Sequence, residues 1–96
     1  MSISKKEAYQ KKMDAELELA QAKLAEFKAQ ARLAMADVRI KYSKQVEHLE
    51  QGLGTTKLKL KELGEASEDN WEKLKGGVEN AWSSLSTSVR DTAAKF

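Results

Sequence analysis

Few side chains in this chain of 96 residues are suited to catalysis or metal binding. His48 is the one histidine and cysteine is absent, so one chain cannot assemble the histidine and cysteine ligands of a zinc site. Gln45 stands three residues before His48, where di-iron helical bundles place a glutamate. We therefore expect no metal and no other cofactor, and we interpret His48 as a solvated side chain.

Carboxylates offer the next candidate chemistry, because Asp14 with Glu18 and Glu68 with Glu72 lie one helical turn apart. An acid–base pair needs a pocket that shifts its pKa values, and a thin helical assembly has few such pockets. Carboxylates on an exposed, alanine-rich helix face commonly serve as solvating charges. We predict that the chain is not an enzyme.

Phosphate recognition has only weak support in the sequence. Gly52 and Gly54 lack the third glycine of a phosphate-binding loop, and no strand pattern precedes them. Lys57, Lys59 and Lys61 form a basic cluster without interleaved aromatic residues, which favours a solvated flank over a nucleic-acid or lipid contact. The 17 basic and 15 acidic residues are mixed at short range and give a net charge of +2, so no nucleic-acid partner is expected.

A stripe of apolar residues at helical spacing runs through the chain from Tyr9 to Phe96. From Leu60 onward its steps repeat as 3-4-4, a hendecad (eleven-residue) period close to the natural helical turn. A third of the residues are charged and proline is absent, as is typical of long or coiled helices. We therefore predict an all-α coiled coil of long amphipathic helices. The stripe positions predicted to make its contacts are Leu17, Leu24, Phe27, Met35, Val38, Leu49, Leu60, Leu63, Trp71, Leu74, Val78, Trp82, Leu85 and Val89.

The predicted architecture is a single helical domain folded as a hairpin. Ser4 and Glu7 form a capping-box pattern that begins a first helix over about residues 4–51. The two glycines and the threonine of residues 52–55 then predict the turn, and the second helix is expected over about residues 56–94.

Two alternatives to this hairpin stay open. The second helix is predicted to be weakened at residues 64–67 and 76–77, and Ser67 followed by acidic residues favours a break at Gly64–Ser67 instead. One continuous helix is the other alternative, because the stripe keeps its phase through the glycines of residues 52–55.

The last third of the chain carries an imperfect tandem repeat built on two tryptophans. Trp71 and Trp82 are eleven residues apart, which returns them to nearly the same side of a helix. We predict that both pack against the first helix, with Trp71 the better buried because Trp82 lies beyond two glycines and nearer the chain end. The alternative is that this helix lies on an anionic membrane surface, with its apolar side inserted among the headgroups.

Self-association follows from the hairpin, since two helices leave one side of their apolar seam open. We predict a homo-oligomer, with a dimer forming a four-helix bundle as the favoured assembly, and a structural or interaction function. The alternative function is a membrane-surface or stress-protective amphipathic protein. The longest apolar run covers only residues 33–36, so neither a signal peptide nor a membrane span is expected, and the predicted compartment is the cytoplasm.

Nearly the whole chain resembles a known kind of protein, most specifically over residues 62–82. The charged, alanine-rich first helix, the Leu-x-Glu-Ala-Ser step of residues 63–67 and the two tryptophans eleven residues apart resemble small bacterial coiled-coil proteins of unknown function. Members of that group are described as apolipoprotein-like or stress-associated, so the resemblance implies an all-α fold and no established activity. Gly52 and Gly54 depart from its pattern, which has charged helix formers there, so no hairpin position is carried over.

Overall fold

The computed structural model describes residues 4–95, and these residues form helices and no strands. The predicted all-α class is therefore confirmed, with three long helices in the described part of the chain instead of two. Phe96, the last position of the predicted stripe, lies outside the described residues. The helices are α1 (Lys5–Leu33), α2 (Ala36–Glu65) and α3 (Trp71–Lys95).

Contacts between the helices show that sequence neighbours run antiparallel. The Tyr42 hydroxyl, near the start of α2, donates a hydrogen bond to Gln30 near the end of α1. Lys6, at the start of α1, donates instead to the Gly64 carbonyl near the end of α2. The Thr92 hydroxyl, near the end of α3, donates to Gln45 in the first third of α2. The helices therefore alternate in direction within a molecule of 51 × 24 × 19 Å, and α1 runs parallel to α3.

The core lies where the apolar stripes of the three helices meet. The buried residues of α1 and α2 are spaced three or four positions apart, and those of α3 are spaced seven positions apart. Thr56 and Thr92 are also fully buried, and each hydroxyl donates to the carbonyl four residues earlier at 2.8 Å. The largest apolar members of the core are Tyr9, Met13, Leu17, Leu24, Phe27, Val46, Leu49, Leu53, Leu60, Leu63, Trp71, Val78 and Leu85.

The predicted turn at residues 52–55 is wrong, because α2 runs through these residues without a break. Two glycines cost a helix about 1 kcal/mol each, which the burial of Leu53 and Leu60 on the same helix outweighs. Gly52 instead lets α3 approach closely, since a Cβ at this position would lie 3.3 Å from Leu85 Cδ1. Thr55, the threonine of the predicted turn, lies inside α2, and Thr56 is a core residue.

The first chain reversal lies at Ala34 and Met35, so the predicted first helix over residues 4–51 is also wrong. Both residues are extended, with φ and ψ of −79° and 155° at Ala34 and of −69° and 161° at Met35. Because neither angle pair needs a positive φ, the reversal requires no glycine or proline and leaves no sequence signal of that kind.

The second chain reversal covers residues 66–70, close to the alternative break at Gly64–Ser67. The last turn of α2 closes with a hydrogen bond from the Ala66 amide to the Leu63 carbonyl, and a turn from Ser67 leads into α3. α3 is continuous through residues 76–77, where the sequence predicts a weaker helix.

Candidate interaction surfaces

The structure places most of the predicted contact stripe inside the chain. Nine of its fourteen positions are buried in the core between the three helices, so the seam that a two-helix hairpin would leave open is largely closed by α3. The nine are Leu17, Leu24, Phe27, Leu49, Leu60, Leu63, Trp71, Val78 and Leu85.

The remaining five stripe positions are not buried. Met35 and Val38 are 84% and 41% exposed; Met35 lies in the chain reversal itself, and Val38 lies next to it in the first turn of α2. Leu74 is 38% exposed in the first turn of α3. Trp82 and Val89 are partly buried and pack against the edge of the core.

The space beside Trp82 is an open groove between α1 and α3. These two helices contact each other far less than either contacts α2, so their shared side of the molecule is incompletely filled. The groove has a volume of about 360 Å³ and is mainly apolar, and Leu19 stands 70% exposed on its α1 side. It is lined by Glu16, Leu19, Ala20 and Lys23 from α1 and by Trp82, Ser86, Val89 and Arg90 from α3.

The α1–α3 contact is closed at its other end, around Tyr9. The Tyr9 and Trp71 rings lie 5.8 Å apart between centroids, and the Tyr9 hydroxyl donates a 2.8 Å hydrogen bond to Glu79 Oε1. Lys75 Nζ lies 5.1 Å from the Tyr9 ring centroid, within cation–π range. Burial is the main cause that raises the pKa of Tyr9, and the bond to Glu79 and the carboxylate charges of Glu79 and Glu16 raise it further.

Four exposed apolar side chains lie within residues 33–40 at the α1–α2 connection, and we call Leu33, Met35, Val38 and Ile40 the apolar tip. Leu33 and Met35 are 89% and 84% exposed, more than the other large apolar side chains of residues 4–95. Residues 32–44 around the tip contain four basic residues and one acidic residue, a net charge of +3. The tip therefore combines apolar exposure with positive charge.

The basic residues of the tip also hold the connection in shape. Arg39 Nη2 donates to the carbonyls of Arg32 and Ala34, at 3.2 and 3.3 Å, and so satisfies acceptors at the end of α1. Arg32 and Arg39 also line a neighbouring groove of about 410 Å³, together with Lys28, Glu47 and Glu50. Lys28 forms an ion pair with Glu50, and the five charged side chains of this lining sum to +1.

The α2–α3 connection at the opposite end differs in charge. Residues 61–73 contain five acidic and two basic residues, a net charge of −3 over the same length of chain. Lys6 Nζ donates to the carbonyls of Gly64 and Ala66, at 3.3 and 2.9 Å, and satisfies the end of α2. Leu74 is the large apolar side chain exposed near this connection.

The side chains considered for catalysis lie on the surface. His48, Asp14, Glu18, Glu68 and Glu72 are all exposed. The lysines of residues 57–61 are exposed on α2 as well. Among residues 4–95, no three histidine or acidic side chains cluster closely enough to hold a metal ion. In the same part of the chain, none of the helices has the length and apolar character needed to cross a membrane.

Comparison with known proteins adds no relative, since neither a family model, nor a curated protein, nor a solved structure matches the chain.

Sequence reasoning missed both the α1–α3 groove and the apolar tip. Leu19 lies off the stripe, beside the buried Leu17 and Ala20, so its exposure followed from the helix pattern but its place in a groove did not. Leu33 and Ile40 are also off-stripe residues. They lie at the same end of the molecule because of a chain reversal that contains no glycine. The net charge of residues 32–44 was the one signal of the tip present in the sequence.

Proposed function

We propose that this protein is a non-enzymatic interaction module that forms a homodimer through the α1–α3 groove. The observation that supports the proposal is the groove itself, where Leu19 and Trp82 leave apolar surface uncovered beside a core that is otherwise closed. Exposed apolar surface next to a well-packed core commonly marks a contact with another protein. The contact residues proposed from the original stripe are thus reduced to Trp82 and Val89, joined by Leu19.

A helix is the element that fits such a groove. Three packed helices leave a furrow between two parallel neighbours, and a helix laid into it contacts both of them by ridges-into-grooves packing. The partly buried Trp82 lies along the furrow and gives the incoming helix a large, rigid apolar surface. A helix added there would cover the apolar surface that the groove leaves open.

A second copy of the chain is favoured by the charges beside the groove. Glu16 and Lys23 flank Leu19 and Ala20 on α1 and both line the groove. If two copies of α1 lie antiparallel with their two-fold axis between residues 19 and 20, Glu16 of each copy faces Lys23 of the other. One surface is then complementary to itself, as a two-fold dimer requires.

Sedimentation equilibrium tests this proposal. We expect the wild-type protein to show a reversible monomer–dimer equilibrium and Leu19→Ser to weaken the dimer by about tenfold or more. Leu19 is largely exposed within the chain, so circular dichroism should show unchanged helicity. Leu58→Ser is the matched control, because Leu58 is 56% exposed on α2, away from the groove.

A charge exchange tests the antiparallel arrangement separately. Glu16→Lys places like charges opposite each other twice in the dimer and should weaken it, and the double variant Glu16→Lys with Lys23→Glu should restore it. A wild-type protein that stays monomeric at high micromolar concentration contradicts the dimer. A dimer that the double variant does not restore contradicts the antiparallel pairing.

A further inference from the structure

We infer that the apolar tip docks end-on against an anionic membrane surface, with Leu33 and Met35 entering the headgroup layer. This inference is independent of the dimer, because the tip lies at the α1–α2 connection and the groove lies along α1 and α3. It also differs from the membrane interpretation of the tryptophan repeat, in which α3 lies flat on the surface.

The apolar side chains of the tip are exposed to water, which favours a contact there. Leu33 and Met35 project from a two-residue reversal at the narrow end of an elongated molecule, and Ile40 on the first turns of α2 is 59% exposed. Side chains at a narrow end can enter a headgroup layer without moving the helices apart. Water-exposed apolar side chains that cluster together are a common mark of a contact surface.

The positive charge around the tip is complementary to an anionic membrane surface. Arg32, Arg39, Lys41 and Lys44 surround the tip, whereas Asp37 is the single acidic residue in that segment. Basic side chains beside apolar ones match a membrane leaflet, because the cations stay at the anionic headgroups while the apolar groups enter the layer beneath. The whole chain carries a net charge of +2, so the +3 of residues 32–44 concentrates the positive charge at this end.

The residue at the start of α2 also favours a contact at the tip. Met35 occupies the N-cap of α2, where its side chain makes no capping hydrogen bond, whereas Ser4 caps α1 by accepting from the Glu7 amide. Serine, threonine, aspartate or asparagine at this position would stabilise the helix. The chain instead carries an exposed methionine there, and the Arg39 hydrogen bonds keep the reversal fixed.

The acidic α2–α3 connection of a second copy is the competing occupant. Its net charge also complements the tip, but its exposed apolar contribution is limited to Leu74, at 38%. Such a contact joins different ends of two molecules and would continue into filaments. The apolar area of the tip is better matched by lipid, so we commit to the membrane surface.

Vesicle co-sedimentation tests the inference with the full chain. We expect binding to vesicles of equal parts phosphatidylcholine and phosphatidylglycerol, weak binding to pure phosphatidylcholine, and weaker binding as salt rises. Leu33→Ser with Met35→Ser should reduce the affinity by about tenfold or more, since both apolar contributions are lost. Leu58→Ser is again the matched apolar control and should bind like the wild type.

A second pair of variants tests the charges. Lys41→Gln with Lys44→Gln should reduce binding by about fivefold per charge, on the scale known for basic residues at anionic lipid surfaces. Lys57→Gln with Lys59→Gln removes the same charge from exposed positions farther along α2 and should bind nearly as well as the wild type. All four lysines are exposed, so helicity measured by circular dichroism should not change.

Three results would overturn the inference. The first is a wild-type protein that ignores anionic vesicles, and the second is equal loss of binding in the tip variants and their controls. The third is a tip variant that lowers the sedimentation mass while vesicle binding persists, which would assign the tip to a second copy. Leu19→Ser separates the two proposals, because it should weaken the dimer and leave vesicle binding through the tip detectable.

Discussion

The two tryptophans of α3 belong to the same sequence repeat but lie in different surroundings. Trp71 is buried against Tyr9, whereas Trp82, eleven residues later, lies partly exposed in the α1–α3 groove. Opposite Trp71, α1 supplies an aromatic ring, and beside Trp82 it supplies the small Ala20 and the outward-facing Leu19. How deeply each tryptophan of the repeat is buried therefore depends on the size of the α1 side chains that face it.

Within the α1–α3 pair, one end contributes to the stability of the fold and another part is available for binding. The closed end at Tyr9 joins α1 to α3 through ring contact and a hydrogen bond to Glu79. The open part beside Trp82 keeps apolar surface accessible while α2 holds both helices in place. We expect substitutions at the closed end to affect folding most and substitutions at the open part to affect association most.

The largest expected effect comes from truncating the two tryptophans in turn. Trp71→Ala should lower the free energy of unfolding by about 3 kcal/mol or more, because it leaves a cavity beside Tyr9. Trp82→Ala should lower it by only about 1 kcal/mol at concentrations where the protein is monomeric, since water already reaches the ring. Urea unfolding followed by circular dichroism measures both, and equal losses would contradict the distinction between the two ends.

A smaller effect tests whether the α2–α3 side is as tightly closed as the fold indicates. Gly54→Ala should stabilise the protein by up to about 1 kcal/mol, because alanine favours the helix and its Cβ meets open space. Gly52→Ala should gain less or lose stability, since its Cβ would approach Leu85 Cδ1 at 3.3 Å. Thermal or urea unfolding of the two variants gives the difference, and a larger gain from Gly52→Ala would show that α3 is less closely packed there.

These glycines also illustrate what the sequence was able to predict. The helical class and most of the buried positions followed from apolar periodicity, because burial of one helix face imposes that spacing whatever the topology. The positions of the chain reversals did not follow, since Gly52 serves close helix packing and the extended pair Ala34 and Met35 performs a turn without a turn residue. A reversal of this kind depends on contacts between α1 and α2 that no local signal reports.

The candidate surfaces were predicted less well for the same reason. Trp71 was expected to be the better buried tryptophan, and its burial confirms that prediction. Leu19 and Leu33 are ordinary exposed leucines in the sequence, and they gain significance only when a third helix closes the core and leaves a groove and a tip. Because α3 closes most of the seam between α1 and α2, the apolar surface left for a dimer is that of the α1–α3 groove.

The smallest expected effect concerns pH at the closed end. Folding raises the Tyr9 pKa above its ordinary value of about 10, so above that pH the unfolded chain loses this proton more readily than the folded one. Ionisation of Tyr9 should therefore leave the free energy of unfolding unchanged below pH about 10 and should lower it as the pH rises further. Tyr9→Phe cannot ionise, so it should show a shallower loss between neutral and strongly alkaline pH in urea unfolding. An identical pH dependence in the two proteins would contradict the buried, Glu79-bonded hydroxyl.

Emission from Trp82 alone tests most directly the central claim that the open part of the α1–α3 contact receives a second copy. In Trp71→Phe, which keeps an aromatic ring beside Tyr9, Trp82 is the one tryptophan that emits. We predict that its emission shifts to shorter wavelength as the protein is concentrated from nanomolar to high micromolar, because the partner excludes water from the groove. Leu19→Ser in the same background should suppress the shift. A Trp82 emission maximum that does not change with concentration would contradict the account.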